Sequence, residues 1–205
     1  MEPNPAHIKQ AMKPHTHRNA GFTLIELMVT IAILAIIASL AAPAVGVFVS
    51  RSAMRSISSD FTLALQRARS EAINRNMCVT MCMSSKASLT PPKCTTSGDA
   101  WDIGWIVFLN PSCDTSITTA NPRTGTSPLE TVIFVRDTSG ARYSLQNGNS
   151  GTRSITFGAR GNTRSSTAAS FNLVDTSVSS NDPINRTFCL DLAGRVRTVE
   201  YGSCS

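Results

Sequence analysis

The sequence predicts an α+β fold in which one long N-terminal helix packs on a C-terminal domain resembling a β-sandwich. Phe22 to Val49 contains 22 apolar residues in 28, which favours a helix in an apolar environment. Beyond Arg51, apolar residues recur every three or four positions as far as Ala72, which predicts a second, amphipathic stretch of helix. The remaining chain alternates short apolar runs with loops of Ser, Thr, Pro and Asn, a pattern typical of strands.

The segment before the apolar block is basic and contains every histidine of the chain. Its histidines and charged residues are His7, His15, His17, Lys9, Lys13, Arg18 and Glu2. If this segment is removed, the remaining protein has no histidine for nucleophile activation or metal ligation. We therefore expect a binding or structural protein with no cofactor and no metal.

Leu27 to Val49 forms an uncharged stretch of 23 residues. As a helix rising about 1.5 Å per residue, it spans a hydrocarbon core of roughly 30 Å. A signal peptide has a shorter apolar core, so we interpret the stretch as an anchor. The basic residues upstream predict a cytoplasmic N-terminus, and hence a single-pass membrane protein whose C-terminal domain is exported.

Glu26 is anomalous, because a carboxylate near a membrane helix is costly unless it has a partner. Placement at the headgroup level, favoured by the helix dipole, is one explanation. However, the segment Gly21 to Glu26 (GFTLIE) resembles the processing site of type IV prepilins and of the pseudopilins of type II secretion. The resemblance implies cleavage after Gly21 by a prepilin peptidase, N-methylation of Phe22, and pairing of Glu26 with the new amino group of a neighbouring subunit.

The resemblance also implies a type IV pilin-like organisation in four segments. These are a removed leader (1–21), a transmembrane and filament-core helix (22–49), its amphipathic continuation (50–76) and a disulfide-containing β-rich domain (77–205). A leader of 21 residues is long for such prepilins, and Met12 is an alternative start. Pro43 stands where the family helix commonly has a proline, and with Gly46 it predicts a kink.

The amphipathic part of the helix has one apolar stripe and a basic remainder. The stripe is Met54, Ile57, Phe61, Leu65, Ala68 and Ala72. The basic residues Arg51, Arg55, Arg67, Arg69 and Arg75 are interpreted as a solvated helix face. The helix should end at Asn74 to Asn76.

Seven strands are predicted after the helix, which favours a sandwich or a pair of sheets packed on its outer half. They are Cys78 to Met83, Gly104 to Leu109, Thr131 to Arg136, Ser154 to Phe157, Ser170 to Val174, Arg186 to Leu190 and Val196 to Tyr201.

The run Trp101 to Phe108 (WDIGWIVF) resembles the Trp-x-x-Gly-Trp strand of the GspH/FimT branch of minor pilins and pseudopilins. Gly104 between large residues predicts a close backbone approach or a bulge. The two tryptophans are expected to pack in the core. Further fits to that branch are Ile155, Phe157, Gly158 and the ending Gly194 to Arg197.

Six cysteines in an exported domain favour three disulfides. If the first two strands form a hairpin, Cys78 lies near Cys113 and Cys82 lies near the loop that holds Cys94. We therefore expect Cys78 with Cys113, Cys82 with Cys94, and Cys189 with Cys204. This connectivity depends on one strand register, and peptide mapping under non-reducing conditions tests it.

Arginine dominates the basic residues of the exported part, and removing 1–21 leaves 16 basic and 12 acidic residues. Gly194 can close a turn with φ > 0, after which strand alternation puts Arg195 and Arg197 on one face. Two guanidinium groups suit phosphates, although solvation or a salt bridge to Asp191 or Glu200 is the commoner explanation of such a pair taken alone. The resemblance implies more, because FimT-type minor pilins carry a Gly-Arg-x-Arg motif here that is associated with DNA binding. Arg160 and Arg164 are secondary candidates, since no acid lies between Asp137 and Asp175.

Two functions follow as hypotheses. The first is a minor pilin that assembles with major and other minor pilins and binds extracellular DNA through its phosphate backbone during natural transformation. The second is a structural minor pilin or pseudopilin that primes or caps a filament. The third class is an enzyme. The only notable acidic cluster in the sequence that could serve catalysis is Asp99 with Asp102, and a structural role explains it better.

Overall fold

A computed structural model describes residues 21–85, 87, 92–115, 132–148, 151–202 and 204, without the side chains of 42–44. The chain divides into two compact units, Met1–Val45 and Gly46–Ser205. The expectations for the leader and for a start at Met12 lie outside the described residues, and the kink at Pro43, whose side chain is not described, stays a prediction.

One α-helix, α1 (Leu24–Arg75), begins after an N-terminal cap at Thr23. The backbone N–H of Glu26 donates to the Thr23 hydroxyl at 3.2 Å, so Thr23 and Glu26 stand at the positions of a capping box. Within the first unit, Leu24–Ala41 has a mean hydropathy of 2.6 and no buried residue, and is long and apolar enough to cross a membrane. The helix ends where predicted, with Asn76 in the left-handed region at φ 52° and Met77 N–H donating to the Ala72 carbonyl.

Among its described residues, the second unit contains two antiparallel four-stranded sheets. The strands are β1 (Val79–Met83), β2 (Gly104–Leu109), β3 (Val132–Asp137), β4 (Tyr143–Asn147), β5 (Ser154–Phe157), β6 (Ala169–Asp175), β7 (Arg186–Leu190) and β8 (Val196–Glu200). Their orders are β3-β2-β1-β5 and β4-β6-β7-β8. The sequence predicts seven of these eight strands and misses β4.

Phe61 of α1 joins the helix to both sheets. Its ring lies 5.3 Å from that of Trp105 in the first sheet, and 5.1 Å from those of Phe171 and Phe188 in the second. The predicted apolar stripe of α1 is buried along its whole length, as are Trp101 and Trp105. The helix therefore supplies the centre of the core, and the expectation that both tryptophans pack there is confirmed.

Gly104 has the close backbone approach predicted for it. Its φ is 117°, and a Cβ at this position would lie 2.6 Å from the carbonyl oxygen of Arg136 on the neighbouring strand β3. A side chain here would separate β2 from β3, which explains a glycine between two large residues.

The three disulfides join Cys78 to Cys113, Cys82 to Cys94, and Cys189 to Cys204. The first two follow from the β1–β2 hairpin, whose register pairs Val79 with Leu109 and Met83 with Trp105. The connectivity expected from that register is therefore the one the structure has.

Candidate functional site

The β7–β8 hairpin carries the two arginines of the Gly-Arg-x-Arg motif, Arg195 in the turn and Arg197 on β8. Gly194 has φ 76° and its N–H donates to the Asp191 carbonyl at 3.0 Å, which closes the turn. Arg195 and Arg197 then line one depression beside the Cys189–Cys204 disulfide. The expectation that the two side chains lie on one side of the hairpin agrees with this placement.

Both arginines also have partners within the chain. Arg195 Nε lies 2.8 Å from Asp191 Oδ2, and Arg197 Nη2 donates to the Cys204 carbonyl at 3.3 Å. The backbone N–H of Arg195 and its guanidinium lower the pKa of Asp191, so this carboxylate stays charged at neutral pH. The Arg195 side chain remains 73% exposed, and exposed ion pairs contribute at most about 1 kcal/mol. A phosphate can therefore compete with Asp191 for Arg195.

A glycine contact holds this turn against the loop formed by residues 158–164. A Cβ at Gly194 would overlap the carbonyl oxygen of Gly161, so the two backbones touch. The same oxygen accepts a 2.9 Å hydrogen bond from Arg69 Nε of α1, and the Thr163 N–H donates to the Leu192 carbonyl at 3.0 Å. Helix, loop and turn are thereby tied together at one point.

Arg69 corrects the interpretation of the helix arginines as a uniformly solvated face. It is half-buried and binds the Gly161 carbonyl, because the glycine loop packs directly on the helix at this level. Its partner lies 92 residues away in the chain. Helical periodicity cannot reveal a contact between residues so far apart in the chain. The only local sign of a close approach to the helix is the pair of glycines at 158 and 161.

Arg160 and Arg164 are exposed and line a common depression with the Cys78–Cys113 disulfide. Arg164 also lines a neighbouring depression together with Arg153. Arg153, Arg164 and Arg160, which all come from the stretch without acids between Asp137 and Asp175, thus form a basic strip. Arg153 is absent from the sequence-based candidates, although it lies in the same window.

The residues of the expected processing site precede or open the helix. Gly21 and Phe22 are exposed, and Phe22 is 81% accessible. Glu26 lies in the first turn of α1 and its side chain is exposed within the first unit. Thr23, whose hydroxyl caps the helix, was not singled out from the sequence, although its spacing from Glu26 fits the capping-box pattern.

The acidic cluster considered for an enzyme has backbone partners. Asp102 Oδ1 accepts from the Leu145 N–H at 3.2 Å, and Asp99 Oδ1 accepts from the Gly151 N–H at 3.0 Å. These contacts brace the loops around Trp101. Within the described ranges, no three His, Cys, Asp or Glu side chains are grouped to hold a metal.

Two family models match the chain. The model described as type II transport protein GspH matches residues 58–194, and that of the prokaryotic N-terminal methylation motif matches residues 16–42. Comparison with curated proteins finds no match.

Among solved structures, the chain is similar to two crystal forms of the type IV minor pilin FimU of Pseudomonas aeruginosa strain PAO1, at 16% identity. One has a TM-score of 0.53 and covers 76% of this chain and 95% of its own. The other has a TM-score of 0.49 and covers 73% and 94%. At 16% identity the likeness shows the fold alone, and that conclusion rests on the structure with the TM-score of 0.53.

Proposed function

The chain belongs to the GspH family of type IV minor pilins and pseudopilins, and we propose that it is a minor pilin that binds extracellular DNA for uptake in natural transformation. The methylation motif and the apolar helix imply membrane anchoring and assembly with other pilins. The finer steps belong to the proposal: cleavage after Gly21, methylation of Phe22, and pairing of Glu26 with a neighbouring subunit. A single pass through the inner membrane, followed by display on the pilus surface, also belongs to it.

The observation that carries the DNA proposal is the common depression of Arg195 and Arg197 on a rigidly held turn. Two guanidinium groups from one hairpin suit contacts with backbone phosphates. Arg195 uses Nε for Asp191, which leaves the donors on its two Nη atoms for a ligand. Because Trp101 and Trp105 are buried, base stacking on tryptophan cannot contribute. Binding should therefore be electrostatic and weakly selective for sequence.

A structural role in priming or capping the filament is the second candidate, and the ion pair between Arg195 and Asp191 favours it. In that case the motif stabilises its own hairpin or contacts a neighbouring subunit. The net charge of +4 after removal of 1–21 is too small to decide between the two functions.

The deciding experiment is a gel shift with the full chain in detergent, comparing wild type with R195A/R197A across a salt series. The matched control is R67A/R75A, which removes the same charge from the exposed helix face. We expect the motif variant to bind at least tenfold more weakly and its log–log salt slope to fall by about 2, one unit for each lost phosphate contact. The control should change little.

Equal binding by wild type and the motif variant would refute this site. Absence of wild-type binding at low salt would refute the DNA function and favour the structural role. In cells, the motif variant should lose transformation while pili still form. Loss of piliation would instead assign these arginines to assembly.

A further inference from the structure

A second basic depression, of about 500 Å³, lies where α1 passes β7. It is lined by Arg51 and Arg55 of the helix, by Arg186, and by the hydroxyl-bearing residues Ser58, Ser59 and Thr62. We propose that this depression binds the phosphodiester headgroup of an anionic phospholipid of the membrane that anchors the chain. The proposal rests on membrane anchoring and is independent of DNA binding.

The three arginines have no ion-pair partner among the residues that the structure describes, unlike Arg136 and Arg142. The nearby acids are already engaged, since Asp60 pairs with Arg136 at 3.0 Å and Asp175 pairs with Arg142 at 3.0 Å.

Two further acids lie near Arg186. Glu200 stands opposite Arg186 in the β7–β8 register without forming an ion pair, and Asp182 accepts from the Ile184 N–H. Arg186 itself is held by donating to the carbonyls of Pro183 and Asn185. Among the described residues, therefore, no carboxylate forms an ion pair with the three arginines of this depression.

The chain sequence puts this charge at the edge of the apolar stretch. Arg51 follows Val49 by two residues, so their Cα atoms are separated by at most about 7 Å. The exposed apolar side chains Val45, Val47, Phe48 and Val49 precede it, and the next large exposed one on α1 is Leu63. The change from lipid-compatible to water-compatible side chains thus occurs at Arg51, the level of phospholipid headgroups.

Arg51 and Arg55 lie four residues apart and so share one helix face. A guanidinium can bind a phosphate with two parallel hydrogen bonds, and hydroxyls can satisfy the remaining phosphate oxygens. The sequence alone assigns Arg51 and Arg55 to a solvated face. The depression instead brings both beside Arg186, which lies on a strand 131 residues further along the chain than Arg55.

The test uses native mass spectrometry of the full chain in detergent, titrated separately with phosphatidylglycerol and phosphatidylcholine. Wild type should prefer phosphatidylglycerol. At about a fivefold affinity change for each arginine, R51Q/R55Q/R186Q should lose a preference on the order of 100-fold. The control R153Q/R160Q/R164Q removes three charges from the basic strip and should keep the preference. R55Q alone changes an exposed side chain and should reduce the preference about fivefold, even if the triple variant fails to fold.

Retention of the preference by R55Q and by a folded triple variant would overturn the proposal, as would equal binding of both lipids by wild type. An equal loss in the control would show that net charge, rather than this depression, selects the lipid. Displacement of phosphatidylglycerol by inorganic phosphate at millimolar concentration would identify a free-phosphate site instead. Loss of oligonucleotide binding in R55Q, with lipid preference intact, would assign the depression to DNA.

Discussion

Replacement of Gly194 by alanine tests the physical basis of the motif turn. Two separate requirements exclude a side chain at this position. The backbone is left-handed at φ 76°, and an added Cβ would lie far closer to the Gly161 carbonyl oxygen than the 3.0 Å that real Cβ atoms keep. That oxygen cannot retreat freely, because Arg69 Nε binds it at 2.9 Å.

The expected loss of stability follows from these contacts. The left-handed conformation costs an alanine roughly 1–2 kcal/mol. Displacing the 158–164 loop breaks the bonds from Arg69 to Gly161 and from Thr163 to Leu192, each contributing about 1 kcal/mol. G194A should therefore unfold with a free energy lower by about 3–4 kcal/mol, which corresponds to a melting temperature lower by roughly 10 °C.

G98A is the matched control, because Gly98 has a similar φ of 82° but open space where a Cβ would stand. It should cost only the roughly 1–2 kcal/mol of the backbone conformation. The assay is thermal and urea unfolding of both variants as full chains in the same detergent. Equal destabilisation of G194A and G98A would refute the argument that contact with Gly161 fixes the motif turn.

Three further changes test the network around Asp175, the core and one disulfide. Asp175 is fully buried. Burial opposes ionisation of Asp175, but hydrogen bonds from Arg142, Ser177 and Ser50 outweigh it and hold its pKa well below the usual range. This stability is present above the unfolded pKa of about 3.9 and is lost as pH falls towards the lower folded pKa. In urea unfolding, D175N should lower the free energy of unfolding by about 2 kcal/mol at pH 7, a modest loss because Arg142 is half-exposed. The loss should be smaller at pH 3, where the wild type has already lost part of this stabilisation, and an equal loss at both pH values would contradict the argument. F61A should lower the free energy of unfolding by about 3–5 kcal/mol, since it removes the ring between both sheets, and a loss comparable to that of the exposed L63A would contradict the packing. C78S/C113S should cost about 4 kcal/mol by chain entropy, measured by urea unfolding against the wild type without reductant, where both proteins keep the other two disulfides. With reductant both proteins lose every disulfide, so the required control result is equal stability of the reduced wild type and the reduced variant.

Elements governed by local pattern are predictable from this sequence, whereas β4 is not. Tyr143 to Asn147 contains only two apolar residues, and Leu145 alone of these is fully buried. Its strand conformation depends on pairing with β6, in which Leu145 stands opposite Leu173. The period-two alternation of Tyr143 and Leu145 is the only local signal, and five residues are too few to distinguish it from a loop.

The residues of the candidate sites also fall into two groups, those placed by local sequence pattern and those placed by packing between distant elements. Placement of Arg195 and Arg197 on one side follows from strand alternation and a turn glycine, so the sequence suffices. The tie between Arg69 and Gly161, and the grouping of Arg186 with Arg55, depend on how distant elements pack. Periodicity assigns Arg55 and Arg69 to solvent, because it describes one element at a time.

The disulfide connectivity also constrains the order of oxidation. If the C-terminal domain is exported as proposed, its cysteines emerge in chain order, and an oxidase that joins each new thiol to the previous one would link Cys78 to Cys82. Both lie at or beside strand β1, and the native set instead nests the Cys82–Cys94 bridge inside the Cys78–Cys113 bridge. Cys78 must therefore stay reduced, or be reshuffled by an isomerase, until β2 has delivered Cys113. Maturation of the exported domain proposed above should therefore depend on protection of the Cys78 thiol or on disulfide isomerisation, as well as on oxidation.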